Sequence, residues 1–299
     1  MLSGSQAQAK VQRLRDQIAQ MQASTVEQIA EVQRKYEELQ QQLIADQRRR
    51  KEELDIGEKG FWFGPAFLQG ALSAQQQFQA QPTDIILCSS QRTGTALLKS
   101  LTFATITRTS YDDSTTTLLS MGHHYVVPFM EFDHAQFSTN RHLGIPLLAT
   151  HLPYSFLPKS IIDSGCVSPY GPDHILGYWK ASLEHPDKLM FLKYEELVED
   201  TVLYLKKTAE FMCYPFSSEE QQQGVPENIV KMCSFENLSG LGVNKTGKHR
   251  DGQGKLGMEN NIFFRKGKLG DWKNYLTTEM AQHLDQRTMQ KLSGSGLSL

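Results

Sequence analysis

Hydrophobic and polar positions divide the chain into two regions of different rhythm. In residues 1–54 single apolar residues sit in polar sequence and recur at helical spacing. Val11, Leu14, Ile18 and Met21 keep the 3-4-3 interval of a coiled-coil seam; the register slips, and Val26, Ile29, Val32, Tyr36, Leu39 and Leu43 resume it. The pattern predicts a long amphipathic N-terminal helix. Two readings follow: weak self-association through residues 11–43, or a lone helix resting on the globular part. Residues 55–299 are patterned as a folded domain. "TDIILCS", "GIPLLATH" and "DKLMFLKY" are apolar on both faces and predict buried parallel strands. "GTALLKSLTFAT", "HILGYWKASLE", "EDTVLYLKKTAEFM" and "TTEMAQHLDQRTMQKL" predict helices between and after them. This alternation predicts an α/β fold with a central parallel sheet in three layers. The tail "SGSGLSL" is expected to be loose.

Charge narrows the function classes. With 31 basic and 33 acidic residues, the chain lacks the basic excess of a general nucleic-acid binder. Cys88, Cys166, Cys213 and Cys233 show no CxxC pairing, so neither a disulfide framework nor a zinc site is expected, and no metal is. No segment is long and apolar enough to span a bilayer, and no apolar leader stands at the N-terminus. The expectation is a cytoplasmic protein with no membrane and no nucleic-acid partner.

Candidate chemistry begins in "DIILCSSQRTGTALLKSL", where a strand, a turn and a helix follow one another. A helix start presents unpaired N–H groups and the positive end of its dipole. Gly94 permits close approach of an anion, Thr93 and Thr95 add hydroxyl donors, and Arg92 adds a planar cation. The Walker A spacing is absent, as are its lysine and a clear magnesium carboxylate, which argues against a P-loop kinase. Taken alone, the turn reads either as a phosphate cradle or as an ordinary strand-to-helix turn. His151 follows the second apolar run, at the strand edge where open α/β sheets bind ligands. It could take a proton from a hydroxyl, or serve structurally beside Pro153.

Five stretches carry a resemblance: the run from "FWFGPAFLQGAL" to "RTGTALLKSL", "THLPYSFLPKSI", "HILGYWKASLEHPDKLMFLKYEELVEDT", "CSFENLSGLGVNKTGK" and "FFRKGKLGDWKNYLTTEMAQHLD". In order from about residue 59 to 290, they resemble the soluble sulfotransferases of plant type. The "RKGKLGDWKN" block is the most specific of them and the turn the least. The resemblance implies a P-loop-like, sulfotransferase-like fold. It implies transfer of a sulfuryl group from 3'-phosphoadenosine 5'-phosphosulfate (PAPS) to a hydroxyl of a small-molecule acceptor: a phenol, a flavonoid or a steroid-like compound.

Position by position, the resemblance implies that Arg92 stands where the family's loop has a lysine that steadies the phosphosulfate. Thr93, Gly94, Thr95 and Ala96 occupy the cradle, and Leu97 replaces a tryptophan that stacks on adenine. His151 matches the general base. Tyr194, Ser234 and Phe235 match contacts near the adenine, and Arg265, Lys266 and Gly267 match the loop that grips the 3'-phosphate.

The chain also departs from the family. After Cys166 a strand-plus-helix unit of roughly 30 residues or more, by the size of such units, is absent. The arginine and serine that bind the 3'-phosphate go with it, leaving only Ser164 and Ser168 as substitutes. Ala96 forgoes a hydroxyl hydrogen bond of about 1 kcal/mol, and Leu97 a stacking contact of roughly 1–3 kcal/mol. An alternative expectation follows: a catalytically weak or inactive sulfotransferase-like protein that acts through its N-terminal helix. For the acceptor pocket, His123 and His124 are candidates, with surface positions as the other reading. Phe61, Trp62, Phe63 and Tyr154 are candidates for acceptor contact or for core packing.

Overall fold

A computed structural model describes residues 12, 20–21, 27–28, 30–42, 63–110, 116–164, 172–252 and 257–298. Its main elements are α1 (Pro65–Gln77), β1 (Ile85–Cys88), α2 (Thr95–Thr107), α3 (Met130–His142), β2 (Leu147–Thr150), α4 (Pro172–Glu184), α5 (Thr201–Phe211), α6 (Val225–Met232), β3 (Lys248–His249), β4 (Met258–Glu259) and α7 (Thr278–Leu292). Contacts divide the chain into two units, Met1–Trp62 and Phe63–Leu299.

β1 and β2 pair in parallel, Ile85 opposite Leu147 and Cys88 opposite Thr150. Every residue of both strands is buried, as a sheet covered on both faces requires. Ile85, Leu87, Leu147 and Ala149 look into one core with Leu98 and Leu101 of α2, Leu205 and Ala209 of α5, and Ile229 and Met232 of α6. α3 packs on β2 and carries α1 in turn. The helices start where their sequence predicts: Asp200 caps α5 and Thr277 caps α7, each accepting a backbone N–H with its side chain.

Three expectations need correction. "DKLMFLKY" forms no strand; Phe191 makes a single bridge, and Tyr194 opens a short helix. Leu189 and Leu192 are buried there by side-chain packing. An apolar run becomes a strand only when a neighbour completes its ladder, and the run itself does not supply one. The tail is docked rather than loose: Leu297 is buried with Ile175 and Leu292, and the Trp179 indole donates to the Ser295 carbonyl at 2.9 Å. His123 and His124 are buried, so the surface reading fails for both.

In the N-terminal unit residues 30–42 are helical. Val32, Tyr36 and Leu39 stand exposed at helical spacing, and Lys35 pairs with Glu31 at 2.8 Å. Met21 is exposed as well. The other expected seam positions, Val11, Leu14, Ile18, Val26, Ile29 and Leu43, lie outside the described residues, as do Phe61, Trp62, Cys166 and Ser168.

Candidate active site

The turn from Ser89 to Thr95 leaves the tip of β1 and opens α2. Arg92 and Gly94 both take left-handed backbone, with φ of 63° and 96°. For Arg92 that conformation is costly and for Gly94 it is not, so the glycine sits where the chain needs it. A Cβ on Gly94 would also lie 2.5 Å from the Tyr194 ring, which lies against the turn. The hydroxyls are organised around this bend. Thr93 Oγ1 donates to the Ser90 carbonyl at 2.8 Å, and Ser89 Oγ lies 2.8 Å from Thr95 Oγ1. Arg92 is exposed and reaches across to the Ile262 carbonyl at 3.4 Å. Ala96 and Leu97 fall in the first turn of α2, and Leu97 packs against the main core.

His151 comes to the same place from β2. Its Nδ1 lies 2.6 Å from the Ser89 carbonyl oxygen. A carbonyl only accepts, so Nδ1 carries a proton, and when the ring is neutral Nε2 holds the lone pair. The His151 backbone N–H donates to Glu131 Oε1 at 3.0 Å, and the Thr150 hydroxyl donates to Glu131 Oε2 at 2.8 Å. Burial raises the Glu131 carboxyl to about 7, against the pull of these hydrogen bonds and of Lys99.

Behind His151 lies a cluster of buried bases. The Lys99 ammonium donates to the Val127 carbonyl at 2.8 Å, lies 3.2 Å from His124 Nδ1, and sits 3.1 Å from the centroid of the Phe129 ring. Burial lowers its pKa well below the ordinary 10.5, opposed by Glu131 and Asp133. Burial likewise lowers His123 to about 3 and His249 to about 4, and pulls His124 well below its usual range. Arg250 pairs with Asp133 and donates to His249 Nε2 at 3.0 Å. Among the described residues, neither ring nitrogen of His123 has a hydrogen-bond partner, nor has His124 Nε2. Sequence reasoning passed over Lys99, Glu131 and His249. The one available signal was charge embedded in apolar runs, as in "ALLKSL" and "VPFMEF".

Of the remaining expected residues, Phe235 and Gly267 come together, and Arg265 and Lys266 share a partner. Ser234 caps a short helix, Phe235–Gly240, accepting from the Asn237 N–H. Gly267, with φ of 60°, lies so close to Phe235 that a Cβ there would meet its ring at 2.4 Å. Arg265 and Lys266 are exposed and converge on one carboxylate: Arg265 at 3.1 Å from Asp271 Oδ2, Lys266 at 2.9 Å from Oδ1. Tyr154 and Phe63 pack on neighbouring rings, Tyr154 against Tyr178 and Phe63 on Phe67 and Phe156. Among the described residues no group of three or more His, Cys, Asp or Glu is placed to hold a metal. Nor is any described helix long and apolar enough to cross a membrane.

A sulfotransferase-domain profile matches residues 82–167 and 168–296. The chain belongs to the sulfotransferase family. A flavonol sulfotransferase-like protein of Flaveria bidentis is 44% identical over 285 aligned positions, which cover 80% of this chain and 91% of that relative. Cytosolic sulfotransferase 16 of Arabidopsis thaliana is 37% identical, with 89% of this chain and 92% of that relative covered. Among solved structures, a putative steroid sulphotransferase of Arabidopsis thaliana superposes with a TM-score of 0.60 at 28% identity, covering 80% of this chain and 86% of that one. A mouse sulfotransferase complexed with PAP gives 0.57 at 19% identity, with 78% and 93% covered, which shows the fold alone.

The profile match to this sulfotransferase comes in two parts that meet between residues 167 and 168, beside Cys166, where the sequence predicts the loss of a strand-plus-helix unit. The alignment to the Arabidopsis sulfotransferase runs over 313 positions, more than the 299 residues of this chain, so part of that relative has no counterpart here.

Proposed function

We propose that this sulfotransferase moves a sulfuryl group from PAPS to the hydroxyl of a small phenolic acceptor in the cytoplasm, with His151 as general base. The observation that carries this reading is the 2.6 Å pair between His151 Nδ1 and the Ser89 carbonyl. With Nδ1 so engaged, a neutral ring would offer Nε2 as the proton acceptor near the turn, which supports the reading. In the reaction, the acceptor hydroxyl gives its proton to His151 Nε2 as its oxygen bonds to sulfur. The bond from sulfur to the phosphate oxygen breaks, and its electron pair stays on that oxygen. The Arg92 guanidinium and the N–H groups opening α2 stabilise the charge that develops there. Thr93, Gly94, Thr95 and Ala96 would cradle the 5' end. Leu97, Tyr194, Ser234 and Phe235 would border the base, and Arg265, Lys266 and Gly267 would receive the 3'-phosphate. Relatives named as flavonol sulfotransferases support a phenolic acceptor, and others named as cytosolic support the location.

The break between residues 167 and 168 bears on rate rather than on reaction type. If it removes phosphate contacts, each 1.4 kcal/mol lost weakens nucleotide binding about tenfold. The alternative of a weak or inactive chain rests on that break and on the loop changes at Ala96 and Leu97. Both readings meet one experiment. With PAP (3'-phosphoadenosine 5'-phosphate) at a hundred times its Kd, the protein gains about 2.7 kcal/mol of stability, read as a higher melting temperature. Labelled sulfate then passes from PAPS to members of a flavonol and phenol panel. A melting temperature unmoved by millimolar PAP, with no labelled product, would overturn the proposal in favour of the inactive alternative.

A further inference from the structure

Ser89 is buried to 1% exposure and spends each of its polar atoms on a different part of the site. Its backbone N–H donates to the Thr150 carbonyl at 3.0 Å, continuing the ladder of β1 and β2 past their ends. Its carbonyl oxygen receives the His151 ring at 2.6 Å. Its hydroxyl shares a hydrogen bond of 2.8 Å with the Thr95 hydroxyl, at the first residue of α2. One residue therefore touches the tip of the second strand, the imidazole and the turn that would receive the anion.

We propose that Ser89 is a positioning residue that fixes the tautomer of the His151 base through its carbonyl and ties occupancy of the turn to the orientation of that base through its hydroxyl. This rests on the reading of His151 given above and adds a residue to it. Two physical constraints make the tie. The Ser89 carbonyl fixes the imidazole proton on Nδ1, because no other tautomer makes a hydrogen bond at 2.6 Å to a lone acceptor. The Ser89 and Thr95 hydroxyls must share one proton between their oxygens, so only one of them donates to the other at a time. Thr95 Oγ1 also lies 3.4 Å from the Ser90 carbonyl, so in the empty turn its proton has two acceptors, and an anion that takes that proton leaves Ser89 Oγ the donor in their pair. The carbonyl that holds His151 belongs to that same residue. The imidazole thus reports on whether the turn is filled, and the base is brought to bear on the acceptor when the sulfuryl donor is seated.

The test uses the full chain with 15N-labelled histidine. In the free protein, long-range 1H–15N correlations should show His151 protonated on Nδ1 at neutral pH, its peaks assigned by their loss in His151→Ala. PAP should shift these peaks. Ser89→Ala should still bind PAP, but its His151 peaks should no longer follow PAP, and its kcat should fall about tenfold, the weight of one hydrogen bond. Ser89→Thr, which keeps the hydroxyl, should restore the response. A neutral His151 protonated on Nε2 would overturn the proposal whether or not Ser89→Ala folds. So would a Ser89→Ala variant whose His151 peaks follow PAP as the unmodified protein's do. These outcomes are separate from failure of the base assignment, which would show as undiminished transfer by His151→Ala.

Discussion

Replacing His151 by alanine is expected to lower kcat by about 10²- to 10⁴-fold, the range a positioned general base supplies. The argument runs through one atom. Nδ1 is committed to the Ser89 carbonyl, so Nε2 is the only ring atom that can accept a proton. His151 lies at the mouth of β2 and not in the turn before α2, so nucleotide binding is expected to survive the substitution. The loss should fall on kcat, with the KM for PAPS changed less than about threefold, a difference under 1 kcal/mol. Removing the ring strips the Ser89 carbonyl of its partner, so a stability loss of about 1–3 kcal/mol accompanies the kinetic one. PAP-induced stabilisation in the variant shows that it still folds. A kcat within a factor of three of the unmodified enzyme would remove His151 from the chemistry.

The second large effect is on stability in acid. His123, His124 and His249 have folded pKa values below their ordinary 6.5 because they are buried. For each, the unfolded chain binds the extra proton in the window between the folded value and about 6.5, so stability drops as pH falls through that window. Glu131 works the other way. Its folded value, raised to about 7, makes the folded chain hold a proton that the unfolded chain releases above about 4.5. Its contribution is full below 4.5 and is lost as pH rises through 7. Lys99, lowered from 10.5, acts in the same sense as the histidines but from a higher pH. The three histidines against Glu131 alone leave a net loss near pH 5.5 of about 2–3 kcal/mol per pH unit, at about 1.4 kcal/mol per proton, and Lys99 adds to it in the same direction. Denaturant melts at pH 7.5, 6.5 and 5.5 measure it. A midpoint that stays level across that range would show that the three imidazoles are not held neutral in the interior. The variant Glu131→Gln should steepen the acid slope, since it removes the opposing group.

How much of this was legible in the sequence depends on how local each feature is. The turn from Arg92 to Leu97 is contiguous, and glycine and threonine are dictated by what an anion needs within a few residues, so its position could be read. His151 could be read because it ends an apolar run. "RKGKLGDW" could be read because its spacing matches a family. The buried cluster could not. Lys99 meets Val127, His124 and Glu131 only after α2 is laid beside the chain entering α3. Nothing within ten residues of Lys99 announces those partners. The same limit applies to "DKLMFLKY", whose composition fits a strand but whose pairing depends on a segment elsewhere. The tail "SGSGLSL" misled in the opposite direction. Its small polar residues suit a loose end, yet Leu297 and the Ser295 carbonyl find a surface on α4.

The carboxylate of Asp271, which holds Arg265 and Lys266 together, stands next in sequence to Trp272, an indole 46% exposed. The protein thus carries its own optical gauge beside the loop assigned to the 3'-phosphate. A nucleotide that draws the two cations from Asp271 changes the field around that indole, so emission excited near 295 nm should follow titration with PAP without any attached dye. Trp272→Phe should abolish the change while leaving calorimetric binding intact. A signal that persists in that variant would place the responding indole elsewhere.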